Sequence, residues 1–464
     1  MPVRLHASPN RPKVKQISFR ELQFFKKKFN FGERQTKSVA TLINKSFGKG
    51  SIEPNFQAKL ASSNKVLSDF FTYREIEFSN KIKKEAVFCE NLSDLCFEII
   101  DQRNLELDKT TFLVGVDSGQ DCLKVSLSVI DEAESEDEIF KCNGVQKIML
   151  VFVCYKLKEN YKNLRIIFDL IGVWDVKCRL IGDLLVQNIY CGMQPHSATF
   201  ACFCCDVDKD NLHLKGNPRT IQSLIDNYKA YKEAKCERTE LKRFFNVENE
   251  PLLLKPFDKM GKDEKHDEEF LGQETSTICV LPQLHLFLGA FNHPFTLLKK
   301  ILPDIEVWPK ECHITVQPRH GEVYNGNDSK TLLKNLHILE KFLGEKELKF
   351  QSFVVAFRAL DNVTKSCFSA EVGADFEKDL EDFRKFYLAL NEDFGLSISF
   401  KIHMIMHHVG DWLKREQIGL GVFSEQGLES CHSKFKTFIK NRKTNPKVAK
   451  QVLSAVVAFN SQNI

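Results

Sequence analysis

No run in this chain of 464 residues reaches the roughly 18 consecutive apolar residues of a membrane span, so no membrane partner is expected. The N-terminus lacks the basic, apolar and small-residue order of a secretory signal. A large net charge is also missing: 66 Lys and Arg against 62 Asp and Glu leave +4. No Gly-x-Gly-x-x-Gly run follows either of the strand patterns that end in an Asp, which argues against a dinucleotide site. Cysteine is present in number, 15 residues, but it is dispersed over a long chain. Without a secretory segment, a reduced intracellular protein with some metal-ligating thiols is the expectation. Hydrophobic content of 43% and charged content of 28% suit a folded protein of two to four domains.

The near-neutral total conceals an uneven distribution. Residues 1–85 carry 18 Lys or Arg against 7 Asp or Glu, and the tail adds Lys434, Lys436, Lys440, Arg442, Lys443, Lys447 and Lys450. Basic segments at both ends of a neutral body suit a polyanion partner through phosphate neutralisation, and they equally suit a solvated surface. The 39 Phe fall mostly in apolar-periodic segments, so core packing explains them better than base stacking.

Six regions are expected. Residues 1–16 form a disordered arm, and 17–106 a basic, mostly helical region for DNA binding or dimerisation, with helices near 18–29 and 34–47. Residues 54–106 read as mainly helical and connecting. Residues 107–205 hold the first part of an α/β core, and 206–400 form a largely helical insertion. A histidine-bearing segment with an acidic helix occupies 401–436, and a basic C-terminal helix 437–464.

The clearest pattern lies between residues 111 and 190. An apolar strand ends in Asp117, a turn through Ser118, Gly119 and Gln120 follows, and a second strand runs over 123–130. A third strand at about 147–156, a helix at 160–171, a fourth strand at 176–182 and another helix complete the series. Hairpin-joined strands followed by strand, helix, strand and helix give the order of an RNase H-like fold, although half of another doubly wound domain has the same periodicity. In the RNase H-like arrangement Asp117 and Asp183 leave adjacent strand ends of one sheet.

Phosphodiester cleavage by two hard cations needs a small set of converging carboxylates. Asp117 and Asp183 supply two, and the segment 421–432 offers Glu425 and Glu429, four apart on one face of a helix capped by Ser424. Asp121 is a possible accessory acid. Each of these acids, taken alone, is equally at home on a solvated surface. A second constellation pairs Cys202-x-x-Cys205 with His403 and His408, a donor set suited to one tetrahedral zinc. Across some 200 residues such a site pins the insertion to the core. Cys204 and His407 are local alternatives, and an unbroken helix favours His403 with His407.

Several of these segments resemble the catalytic core shared by Transib-type transposases and the recombination-activating protein of V(D)J recombination. Val116-Asp-Ser-Gly-Gln-Asp121 is similar to the family's first-aspartate turn, and Ile181-Gly-Asp183 to its second aspartate. The 19-residue step to Cys202 is similar to its placement of zinc cysteines. The strongest likeness is continuous: residues 402–413, then Ile418-Gly419, then Ser424-Glu-Gln-Gly-Leu-Glu-Ser430. Gly326-Asn327 is also similar to a Gly-Asn step of that family.

The resemblance covers patches of residues 110–435. It implies His403 and His408 as zinc ligands beside Cys202 and Cys205, and Glu429 as the third catalytic acid. The segment from Ser424 to Glu429 is one residue longer than the family's, so Glu425 stays a rival. Chapaev-like and CACTA-like transposase groups share the same C2/H2-with-three-acids arrangement.

The implied protein is a nuclear DDE-type DNA transposase or recombinase. It would use two Mg²⁺ or Mn²⁺ ions for cleavage and strand transfer and one structural Zn²⁺. Its partners would be double-stranded DNA at terminal inverted repeats and a second copy in a homodimer. The competing expectations are a domesticated, inactive DNA-binding derivative and a non-catalytic interaction protein on the same fold.

Overall fold

A computed structural model describes residues 16–18, 22, 33–47, 51–53, 66–132, 147–195, 197–261, 265–314 and 324–463. The expected N-terminal arm, nearly all of the helix expected at 18–29 and most of the acidic run after residue 131 lie outside the described residues. The second basic helix is α1, Glu33–Phe47.

Six strands form one mixed sheet: β1 (Phe71–Phe78), β2 (Ile82–Cys89), β3 (Thr110–Asp117), β4 (Cys122–Asp131), β5 (Met149–Tyr155) and β6 (Cys178–Ile181). Their spatial order is β1-β2-β5-β4-β3-β6. Strand β3 is buried from Phe112 to Val116, as expected of a strand covered on both faces. It pairs antiparallel with β4 and parallel with β6. Strand β5 lies antiparallel to β4, with a register shift between Val125 and Ser126.

The crossover from β5 to β6 is helical. Asn160 caps α3 (Tyr161–Ile171), and Gly172, at φ 72°, ends it in the left-handed conformation that glycine adopts most readily. Helix α4 (Leu184–Tyr190) follows β6 at once. On the far side of β6, among the described residues, only Cys279 and Val280 pair, through a parallel bridge to Leu180 and a 2.9 Å bond from Val280 N–H to the Leu180 carbonyl.

Residues 54–106 depart from the expected helical reading. They contain the β1–β2 hairpin, followed by helix α2 (Leu92–Arg103). The hairpin turns at Asn80 and Lys81, both at positive φ. Its outer part carries Arg74, Glu75, Glu77, Lys83, Lys84 and Glu85, and these charges break the apolar alternation by which strands are read. Strand β1 is the sheet edge, where charge discourages pairing with another chain.

Between α4 and the C-terminal segment the chain is largely helical. It contains α5 (Ile221–Ala234), α6 (Gln283–Ile301), α7 (Gly326–Lys334), α8 (Leu336–Gly344), α9 (Gln351–Ser366), α10 (Phe376–Phe394), α11 (Phe400–His407) and α12 (Val409–Glu416). Its interior is aromatic: Phe291 lies 6.0 Å from Phe295, 5.2 Å from Phe357 and 6.2 Å from Trp308. These Phe residues pack in the core, as their periodicity implies.

The chain then returns to the sheet as α13 (Gln426–Asn441) and α14 (Ala449–Asn460). Helix α13 crosses β3 at Gly115, where an added Cβ would come within 2.4 Å of Leu428. Helix α14 covers β1, β2 and β5. Strand β2 meets β5 only at Val87–Val153 and Phe88–Phe152. Beyond that point buried Asn460 exchanges two hydrogen bonds with the Leu150 backbone, at 2.9 and 2.8 Å. The mixed sheet, its flanking helices and a buried metal-chelating cluster are broadly compatible with an RNase H-like core carrying a helical insertion. Among the described residues no helix is long and apolar enough to cross a membrane.

Candidate functional site

Cys202, Cys205, His403 and His408 are all buried, and one ligand atom from each lies within 4.8 Å of every other. Cys205 Sγ is 3.2 Å from His403 Nε2, Cys202 Sγ is 3.5 Å from His408 Nε2, and the two Nε2 atoms are 3.1 Å apart. Bonds of about 2.3 Å to sulfur and 2.0–2.1 Å to nitrogen make tetrahedral edges of roughly 3.3–3.8 Å, so the four donors need only small shifts to fit a zinc ion.

The five-residue histidine spacing works because the helix breaks. His408 ends α11 and begins α12 at φ −118° and ψ −27°, which swings its ring toward His403. His407, which an unbroken helix would favour, bonds instead to the His213 carbonyl at 3.1 Å. The His403 Nδ1–H donates to the Leu212 carbonyl at 3.0 Å, leaving Nε2 as the free lone pair.

The cysteine loop is held from behind by fully buried Arg219, whose Nε–H bonds the carbonyls of both Cys202 and Cys205 at 2.9 Å. Burial pushes the Cys202 thiol well above its ordinary value, because a thiolate there has little solvent. A bound dication reverses that preference.

A second cluster, of carboxylates, lies at the ends of β3 and β6. Gly115 pairs with Ile181 in parallel register. Two residues on, Asp117 and Asp183 therefore leave neighbouring strands at one level and toward one face. Asp183 also caps α4, accepting from the Val186 N–H at 2.8 Å. Asp117 accepts from Gly119 N–H at 3.2 Å and from His432 Nδ1 in a very short contact. Burial alone would raise the Asp117 carboxyl, but His432, Lys124 and the Gly119 amide outweigh it and hold the group below its usual range. Lys124 is its partner across the β3–β4 ladder.

Glu429 stands in the first turn of α13, within electrostatic reach of Asp117, Asp183, Glu425 and His285. Its carboxylate has no hydrogen bond or ion pair among the described residues. Burial, with the charges of Glu425, Asp117 and Asp183, pushes its pKa upward against the pull of His285. Glu425 differs. It is 2% exposed, and its Oε1 accepts from both the backbone N–H and Nδ1 of His285, at 2.8 and 3.0 Å. It thus ties the start of α13 to the start of α6. Asp121 is exposed, at φ 59°, on the lip of a 540 Å³ cavity that also takes in Ser118, Glu159 and Leu185.

Four further residues were not legible as site residues. His285 is half-buried, and although burial pulls its imidazolium down, Glu425, Asp183 and Glu429 hold its pKa above the ordinary value. His432 follows Glu429 by three positions, so helical spacing was the available signal. Lys401, two residues before His403, lies in the field of Asp183 and Glu425. Glu159 follows β5, and its carboxyl is pushed up to about 7, first by burial and then by Asp183 and Asp117, against a hydrogen bond from Ser118.

An acid whose pKa rises on folding favours the fold below its ordinary range near 4.5, and that advantage is lost as pH rises through about 7. Glu159→Gln should therefore stabilise the protein by about 1 kcal/mol at pH 8, after discounting for partial exposure, and by much less at pH 5. Urea midpoints at the two pH values check this, and an equal shift at both would reject it.

No family model matches the chain, and no curated protein matches it either. The fold and the buried Cys2His2 cluster are consistent with a metal-dependent or DNA-interacting protein of RNase H-like type.

Proposed function

We propose that this protein is a DDE-type DNA transposase or recombinase that cleaves DNA ends and transfers strands. The observation that carries the reading is Glu429: an unpartnered carboxylate on α13, brought from some 250 residues away to the strand ends that bear Asp117 and Asp183. Burial first, and then the neighbouring carboxylates, raise this acid, a condition that bound cations would relieve. Asp117, Asp183 and Glu429 would hold two Mg²⁺ or Mn²⁺ ions, which supply charge stabilisation at a phosphodiester and an activated oxygen nucleophile. The chain's own residues prepare that site. His432 and Gly119 fix the Asp117 carboxylate, the α4 cap fixes Asp183, and Glu425 with His285 fixes the approach of α13.

Zinc on Cys202, Cys205, His403 and His408 has a structural role, since all four donors come from the protein and leave no open position. Basic residues near both ends would grip phosphates of terminal inverted repeats, and processing two ends together calls for a homodimer.

A test follows from the α4 cap. Asp183→Asn keeps a capping oxygen and should fold normally, yet Mg²⁺-dependent nicking of terminal-repeat DNA should fall by roughly 10³-fold. Equal nicking by the variant and the parent would refute the assigned role.

The His432 contact favours a second reading, a transposase-derived DNA-binding protein without catalysis, because it already occupies one Asp117 oxygen. That reading predicts DNA binding with no nicking by the parent in Mg²⁺ or Mn²⁺.

A further inference from the structure

Lys401 lies on α11, the zinc-bearing helix, but its side chain serves neither zinc nor the core. Helix α11 packs along α6, and Lys401 meets it at Gly289, one turn after His285. A Cβ added at Gly289 would fall 2.4 Å from Lys401 Cδ and 3.1 Å from its Cβ. The aliphatic stem therefore runs across the bare glycine backbone toward the carboxylate cluster.

There the ammonium lies in the field of Asp183 and Glu425. It forms no hydrogen bond or ion pair with any described residue. One oxygen of each acid is engaged, Asp183 Oδ1 capping α4 and Glu425 Oε1 holding His285, while Glu425 Oε2 is buried with no hydrogen bond to a described residue, the ammonium included. A half-buried cation that stops short of its nearest anions is poised for another anion. On DNA that anion is the backbone phosphate, for which a lysine acts as a flexible point charge.

We propose that Lys401 grips a DNA backbone phosphate drawn into the cluster of Asp117, Asp183 and Glu429, and that Gly289 provides the passage by which it reaches. The inference rests on the DNA-cleaving reading above. Lys401 is a positioning residue carried by zinc-bearing α11, so the zinc clip and the substrate grip share one rigid element. The zinc histidines and the lysine are then spaced as they are for a common reason: one short helix must serve both sites.

The test uses full-length zinc-loaded protein and a terminal-repeat duplex, with binding followed across salt concentrations in Ca²⁺ and nicking followed in Mg²⁺. Lys401→Met preserves the stem and removes the charge. It should weaken binding about tenfold and reduce the slope of log affinity on log salt by about 0.9, the signature of one lost phosphate contact. Gly289→Ala keeps the charge but displaces the stem, and should weaken binding in the same direction. In a Lys401→Ala background, Gly289→Ala should add nothing. Zinc content and melting temperature report whether each variant is folded.

An unchanged salt slope and nicking rate in Lys401→Met, with an active parent, would overturn the proposal. So would an undiminished effect of Gly289→Ala in the Lys401→Ala background. A parent that neither binds nor nicks DNA would defeat the underlying function and this inference with it, an outcome readily told apart from the other two.

Discussion

Stripping zinc from the Cys202, Cys205, His403 and His408 cluster should unfold the helical insertion and lower the melting temperature by roughly 10 °C or more. The four donors come from segments about 200 residues apart, so the metal closes a long loop and holds α11 against the cysteine-bearing loop. Structural zinc sites in small domains contribute about 10–16 kcal/mol of apparent binding energy, which matches or exceeds the whole stability of many domains. Without the ion, the buried sulfurs and the facing Nε2 atoms of His403 and His408 lose their shared partner.

The purified protein should hold one zinc per chain, and Cys202→Ser or His408→Ala should bring that ratio near zero. His407→Ala should retain the metal, since its ring bonds the His213 carbonyl and lies outside the quartet. Elemental analysis with thermal melts in and out of a chelator decides the matter. A zinc-free parent with an unaltered melt would dismiss the cluster as a metal site.

The second large effect separates two glutamates four residues apart. Glu429→Gln should reduce Mg²⁺-dependent nicking by roughly 10³-fold without lowering the melting temperature, because its carboxylate makes no hydrogen bond or ion pair among the described residues and its charge is disfavoured by burial. Glu425→Ala should instead destabilise the protein by about 3 kcal/mol. It deprives the His285 N–H and imidazole of their acceptor in a nearly dry setting. Measured side by side, the pair gives opposite profiles: one variant folded and inactive, the other visibly unstable. If Glu425→Gln were folded and dead while Glu429→Gln kept its rate, the third acid would be Glu425.

The order of strands β3 to β6 and the helix between β5 and β6 were readable because each is a dense apolar run closed by a charged or turn residue. The strand-end positions of Asp117 and Asp183 were readable for the same reason, since an acid at the end of a buried strand is conspicuous. The β1–β2 hairpin was not. Its charged outer half breaks the alternation, and a sheet edge tolerates that where a central strand does not.

Within the zinc cluster, the choice of His408 over His407 depended on a helix break that no local propensity announces. Glu159, Lys401 and His285 were illegible because tertiary contacts alone make them notable. Each is an ordinary residue in its own segment, brought to the acids by the crossing of elements far apart in sequence. Glu425 and Glu429 illustrate the limit most directly, since helical spacing put both on one face and only the neighbouring start of α6 distinguished them.

The bond between Asn460 and Leu150 has a bearing on how the protein is born. Strand β5 leaves the ribosome 310 residues before the side chain that completes its hydrogen bonding. At synthesis rates of about 5–20 residues per second, that interval is roughly 15–60 s. Throughout it the nascent sheet presents bare backbone past Cys89, and Glu429 has yet to be made for most of the same period. A newborn chain therefore carries an unfinished sheet until the helix bearing Asn460 is made.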